Sequence, residues 1–240
     1  MKIGKIYILT LILSLIVLNI NNSFSQAIKA VVAVTGSIKD EISKKPLSVS
    51  VKVTDNTGKK INSTKSNAYE DGYYFITGLI PGNTYNFEFV IDNYFKENIA
   101  ISVPNSDKYL EISRDFNMKP LEKGVKLPLA VSPFEYNKTK LRFGSVVALE
   151  RLANSLKNNP NVKFTILSYP DSNDDAAENK SLTKSRADAL KDYFVVQGID
   201  PLRIKIQDSE TTDPNIPPPT EKRAKGKKYI GSTYIVINEF

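Results

Sequence analysis

The spacing of apolar residues changes period once along this chain, near residue 120, and that change limits the folds open to it. Before it, apolar and polar residues alternate: Val49, Val51 and Val53 with Ser50, Lys52 and Thr54, then Tyr85, Phe87 and Phe89 with Asn86 and Glu88. Turn residues interrupt the alternation at Asp55-Asn56-Thr57-Gly58, at Gly72 before Tyr73-Tyr74-Phe75-Ile76, and at Pro81-Gly82-Asn83. This half has no helical spacing, and an antiparallel sandwich of about seven strands would close it. After the change, Val146, Leu149, Leu152, Ala153 and Leu156 recur at three- and four-residue steps, predicting a helix over 145–157 that stops before Pro160. Val162, Phe164 and Ile166 form a strand ending near Ser168, and a polar loop follows over 171–178. A second helix is expected over 181–196, with Ala187, Leu190, Tyr193 and Phe194 inward and Gly198 just past its end. Strands at 203–206 and 229–237 complete an α+β half, a mixed sheet with helices on one face.

These periods divide the chain into an all-β sandwich over 28–119, a linker over 120–131 and an α+β domain over 132–240. The linker contains Pro120, Gly124 and Pro128, which do not suit a central strand. Ahead of the sandwich, Lys2 and Lys5 precede an apolar run from Ile6 to Leu18, then a polar stretch with small residues at Ser23, Ser25 and Ala27. That pattern predicts a signal peptide over 1–27, cleaved after residue 25 or 27, because the run is short of the ~20 residues a spanning helix needs. The expected location of the mature chain is beyond the membrane across which it is exported.

Cysteine and histidine are both absent, which removes disulfides, thiol chemistry, Cys/His zinc sites and histidine-based triads. The formal charge of +7 drops to +5 when Lys2 and Lys5 leave with the signal peptide, and on an exported chain that mildly basic balance suits acidic envelope polymers or lipid head groups better than nucleic acid. Binding is expected ahead of catalysis.

Within the sandwich, Val34-Thr35-Gly36-Ser37-Ile38-Lys39-Asp40, Pro46-Leu47-Ser48-Val49-Ser50-Val51, Glu70-Asp71-Gly72-Tyr73-Tyr74-Phe75 and Pro81-Gly82-Asn83-Thr84-Tyr85 resemble the carboxypeptidase-regulatory-like repeat. The resemblance implies a transthyretin-like sandwich serving as a spacer or interaction module, with no catalytic residues. The aromatic residues of this half are expected mainly in its core, with a sugar-stacking platform as the alternative.

The second half resembles the OmpA C-terminal-like, peptidoglycan-associating domain. Three segments in register carry the resemblance: Phe134 to Leu141 as an opening strand, Val162 to Asp171 as the strand entering the binding loop, and Asn179-Lys180-Ser181-Leu182-Thr183-Lys184-Ser185-Arg186-Ala187 as the helix start. The resemblance implies that Asp171 and Arg186 hold the diaminopimelate of peptidoglycan stem peptides, with Asn137 and Asn179 beside them. The chemistry is consistent, since a carboxylate accepts from an ammonium and a planar guanidinium grips a carboxylate. The alternative keeps Asp171 and Arg186 for each other, as a loop-to-helix salt bridge.

Two departures bear on the site. Pro170 stands immediately before Asp171 and brings no N–H, and the late asparagine-arginine-arginine motif is replaced by Glu221 to Lys228, with five basic residues in eight. The leading expectation is therefore a non-catalytic periplasmic protein that binds peptidoglycan and tethers an envelope protein to the wall through its sandwich. The alternative is an envelope scaffold whose wall site has decayed. A hydrolase using Asp171, Asp174, Asp175 or Glu178 is a remoter class, and no cofactor, metal or transmembrane span in the mature chain is expected.

Overall fold

The computed structural model describes residues 30–129, 131–220 and 228–240. The expected signal peptide and residues 221–227 of the basic loop lie outside the described residues.

The first half is an all-β sandwich. Its strands are β1 (Val32–Asp40), β2 (Ser50–Thr54), β3 (Lys60–Lys65), β4 (Tyr73–Leu79), β5 (Thr84–Val90), β6 (Glu97–Ser102), β7 (Leu110–Ser113) and β8 (Phe116–Met118). One sheet runs β4-β1-β7, with β8 also paired to β1, and the other runs β3-β2-β5-β6. The count exceeds about seven because β1 is long enough to pair twice. Val32 to Thr35 pair with β7 and Ile38 to Asp40 with β8, both in parallel, so the sandwich is not purely antiparallel. Between those two pairings a Cβ at Gly36 would land on the Arg114 carbonyl, so the close approach of the two chains requires glycine. Alternation placed the core well: Val51, Val53, Tyr74, Ile76, Tyr85, Phe87 and Phe89 all face inward. Tyr69 and Tyr73 stay exposed.

The second half is α+β. It comprises β9 (Lys126–Pro128), α1 (Val146–Asn158), β10 (Lys163–Ser168), α2 (Ala176–Val196), β11 (Ile204–Gln207) and β12 (Thr233–Glu239). The sheet order is β11-β10-β12-β9, and only β10 and β11 are parallel neighbours. Leu149, Leu152 and Leu156 of α1 and Leu190 and Phe194 of α2 pack against Phe164, Ile166, Ile235 and Ile237 of the sheet.

Four boundaries differ from expectation, one of them the final strand, which begins at Thr233 rather than at 229. The stretch expected as a linker supplies β9, which pairs with β12 at the sheet edge, where Pro128 leaves no ladder bond missing on a second side. The expected opening strand from Phe134 to Leu141 is irregular, and Asn137 there holds a left-handed φ of 51°. Helix α2 begins five residues early because the Asp175 side chain caps it, accepting from the Glu178 N–H at 2.9 Å. Its end is as read: Gly198 is left-handed, and the N–H groups of Gly198 and Ile199 return to Val195 and Phe194.

Contacts between the halves make Val31 to Phe240 one compact unit. Phe95, from the loop before β6, is fully buried in the second core. Asn159, after α1, exchanges two hydrogen bonds with the Lys96 backbone, each 2.9 Å. Buried Glu97 accepts from the Ser155 hydroxyl at 2.8 Å and from Lys119 at 2.9 Å.

Candidate functional site

Strand β10 delivers Asp171 three residues past its end, and α2 delivers Arg186 from its third turn. The two side chains meet face to face: Nη1 donates to Oδ1 and Nη2 to Oδ2, each at 2.8 Å. Their side-chain exposures are 0% for Arg186 and 1% for Asp171, so neither group faces solvent.

The rest of the chain completes the pair. Asp171 Oδ2 also accepts from the Asn137 backbone N–H at 2.7 Å, and Oδ1 from the Gly231 N–H at 2.8 Å. A carboxylate has about four acceptor sites, and all of them are taken. Arg186 Nε donates to the Lys138 carbonyl at 2.9 Å and Nη2 to the Glu135 carbonyl at 3.0 Å. Its guanidinium lies 5.2 Å from the centre of the buried Phe134 ring. The irregular segment 134–138 thus acts as a cover over the pair.

Asn179 and Asn137, expected beside the pair, are there in different capacities. Asn179 is buried and its amide donates to the carbonyls of Ser172 at 2.8 Å and Glu210 at 3.0 Å. It ties the loop after β10 and the loop after β11 to the start of α2. Thr183 reinforces that tie, donating to the Ser209 carbonyl and accepting from the Ser209 N–H, both at 3.0 Å. Asn137 contributes its backbone N–H, while its exposed side chain makes no hydrogen bond among the described residues.

Pro170 removes no donor that Asp171 lacks. The residue the sequence reading missed is Gly231, sixty positions from Asp171 and just ahead of β12. A Cβ there would strike the Tyr169 and Pro170 carbonyls, so glycine alone lets its N–H reach the carboxylate. Its one visible signal is an isolated glycine inside the stretch expected as the final strand, which marks a close backbone approach.

Around the pair the surface is mixed in sign. Asp174, Asp175 and Glu178 are exposed at the start of α2, Lys138 ends the cover segment and Lys140 follows it. Lys228 sits 4.2 Å from the centre of the Tyr136 ring. Farther in, fully buried Asp213 accepts from the Tyr234 hydroxyl at 2.6 Å; burial, and then this bond, push the Tyr234 hydroxyl up to about 12.

The arrangement suits ion pairing more than acid-base work. Asp171 has no free acceptor for a substrate proton, and the remaining carboxylates of the loop are solvated.

The OmpA family model matches residues 133–226, less than half of the chain. The search of curated proteins with this chain found no match. Among solved structures, 3-chlorocatechol 1,2-dioxygenase from Rhodococcus opacus 1CP aligns at 8% identity and a TM-score of 0.31, over 38% of this chain and 60% of its own. The OmpA-like domain of FopA1 from Francisella tularensis aligns at 19% identity and a TM-score of 0.36, over 50% and 85%. The peptidoglycan-associated lipoprotein from Burkholderia pseudomallei aligns at 16% identity and a TM-score of 0.37, over 50% and 94%. Residues 133–226 of this chain are an OmpA-like domain.

Proposed function

We propose that this chain is a non-catalytic protein of the bacterial cell envelope, whose OmpA-like domain associates with peptidoglycan and whose sandwich holds an envelope partner. The observation that carries this reading is the gathering of Asp171, Arg186, Asn137 and Asn179 at one place in a domain of that family. The far end of diaminopimelate, an ammonium beside a carboxylate, complements the pair in sign. With every acceptor site of Asp171 filled, ligand entry requires the cover segment to lift. The Asn137 N–H would leave Oδ2, the Glu135 and Lys138 carbonyls would leave the guanidinium, and the ligand would take their places.

A second reading has its own observation, the completeness of the closed pair. On it, Asp171 and Arg186 are a permanent clamp, and the chain is an envelope scaffold with a degenerate wall site.

Retention on isolated diaminopimelate-type sacculi separates the two. Wild type would be compared with Asn137→Ala, which leaves the pair intact, and with Asp171→Asn and Arg186→Lys, each checked for fold by circular dichroism. Weaker retention of Asn137→Ala and of the folded pair variants supports the diaminopimelate site. Equal retention of all of them assigns the pair to the clamp, and failure of wild type to be retained rejects wall association.

A further inference from the structure

The open side of the sandwich has the shape of a missing strand. Strands β6 and β8 are the neighbouring edges of the two sheets, β6 bonded only to β5 and β8 only to β1 among the described residues. They are joined at one end. Tyr94 and Pro120 form an antiparallel bridge, the Phe95 N–H donates to the Lys119 carbonyl at 2.9 Å, and Lys119 pairs with Glu97. Beyond that joint the two edges part around a cleft of about 690 Å³. Its apolar lining comes from Phe89, Ile99, Ile101, Phe116 and Met118.

A cleft of that volume is in the usual range for a bound ligand, but its form favours a strand. The six residues of β6 extend over roughly 20 Å at ~3.3 Å each. Packed sheets stand ~10 Å apart, about twice the ~4.8 Å between paired strands, so one added strand can bridge the edges. Beyond Glu97, whose buried carboxylate meets Ser155 of α1, the edge is also undefended. Exposed edges normally carry lysine, proline or a bulge against unwanted pairing. Strand β3, the opposite edge of the same sheet, has Lys60, Lys65 and a register shift against β2. Strand β6 has no lysine, no proline and an unbroken register from Glu97 to Ser102.

Charge indicates the occupant. The carboxylates lining the cleft are engaged: Glu97 with Lys119 and Ser155, Asp115 with the Ser37 N–H and hydroxyl, and Glu41 at 3.9 Å from Lys119. Arg114 and Arg151 also line it, both exposed and with no side-chain hydrogen bond or ion pair among the described residues. Arg114 lies between β7 and β8 on the parting edge, and Arg151 is one turn of α1 ahead of Ser155, which bonds Glu97 at the joint.

We propose that this cleft receives one extended segment of a partner protein, paired through its main chain with the free edge of β6. Alternate apolar side chains of the segment would enter the cleft, and an acidic residue at each end would meet Arg114 or Arg151. The inference locates the partner contact within the tethering reading above and rests on that reading only for there being a partner.

The test uses the purified chain and a fluorescent peptide alternating valine and threonine between terminal glutamates, followed by anisotropy. The glutamate-ended peptide is expected to bind at least about tenfold more tightly than its lysine-ended counterpart, with the order reversed in the Arg114→Glu, Arg151→Glu variant. A central proline, which removes a main-chain donor, should abolish binding. No binding by any peptide, equal binding of the proline peptide, or an order unmoved by the charge reversal would overturn the proposal. So would sedimentation showing that the chain dimerises through β6 and is dispersed by the peptide, since the occupant would then be a second copy. Sacculus retention of the same charge-reversed variant is expected to equal wild type, so failure of the cleft and failure of wall association are read separately.

Discussion

Arg186 donates two hydrogen bonds of 2.8 Å to Asp171 with essentially no exposure of either side chain, and four segments of chain converge on them. Removing one partner of such a pair leaves a buried charge uncompensated and costs about 3–5 kcal/mol. Arg186→Ala and Asp171→Ala should each lower stability on that scale, while the double variant should cost clearly less than their sum. Urea unfolding of the three variants measures the coupling. Additive losses would mean that the two groups do not depend on each other.

Much of this organisation is legible in the sequence, and what is not has a common cause. Period-two alternation located the strands around Val51 and Phe87, and three- and four-residue spacing located both helices, because each pattern reports a face buried by its own segment. Strand β9 escaped notice because three residues ending in Pro128 carry no periodicity, and β12 supplies the ladder that makes them a strand. The resemblance to the OmpA C-terminal-like domain implied that Asp171 and Arg186 would converge. It did not show that the convergence is closed, because the closing donors, the N–H groups of Asn137 and Gly231, are backbone groups thirty-four and sixty positions away. Residue type says nothing about where a backbone N–H points.

Asp40 is one of the carboxylates that make the sandwich sensitive to acid. Burial alone would raise its carboxyl, but the Ser43 and Ile42 N–H groups at 2.6 and 2.8 Å and the Tyr94 hydroxyl at 2.9 Å outweigh it and hold Asp40 below the ordinary carboxylate range. The unfolded chain therefore takes up this proton first as pH falls. The stabilisation is complete above the unfolded value of about 4 and is lost as pH drops through the folded value. Asp40→Asn should be less stable than wild type at pH 7, with the difference shrinking on acidification. Chemical denaturation at a series of pH values measures it, and a difference that stays constant into the acid range would remove Asp40 from this role.

At the alkaline end the corresponding group is Tyr234, buried and bonded to Asp213, with its hydroxyl pushed up to about 12. An unfolded tyrosine ionises near 10, so between those values the unfolded state has released a proton that the folded state keeps. Stability from this group is complete below about pH 10 and declines as pH rises toward 12. Tyr234→Phe should cost about 1–3 kcal/mol at neutral pH, because Asp213 loses a donor in a fully buried position and keeps the Asn215 N–H. Buried Tyr74 and the Asp40-bonded Tyr94 are also raised and titrate in both proteins, so the difference between wild type and variant isolates Tyr234. That difference should fall steadily from pH 10 to pH 12 in thermal or urea unfolding. If it persisted unchanged across the window, the Tyr234 hydroxyl would contribute packing alone and its bond to Asp213 would carry no protonation-linked stability.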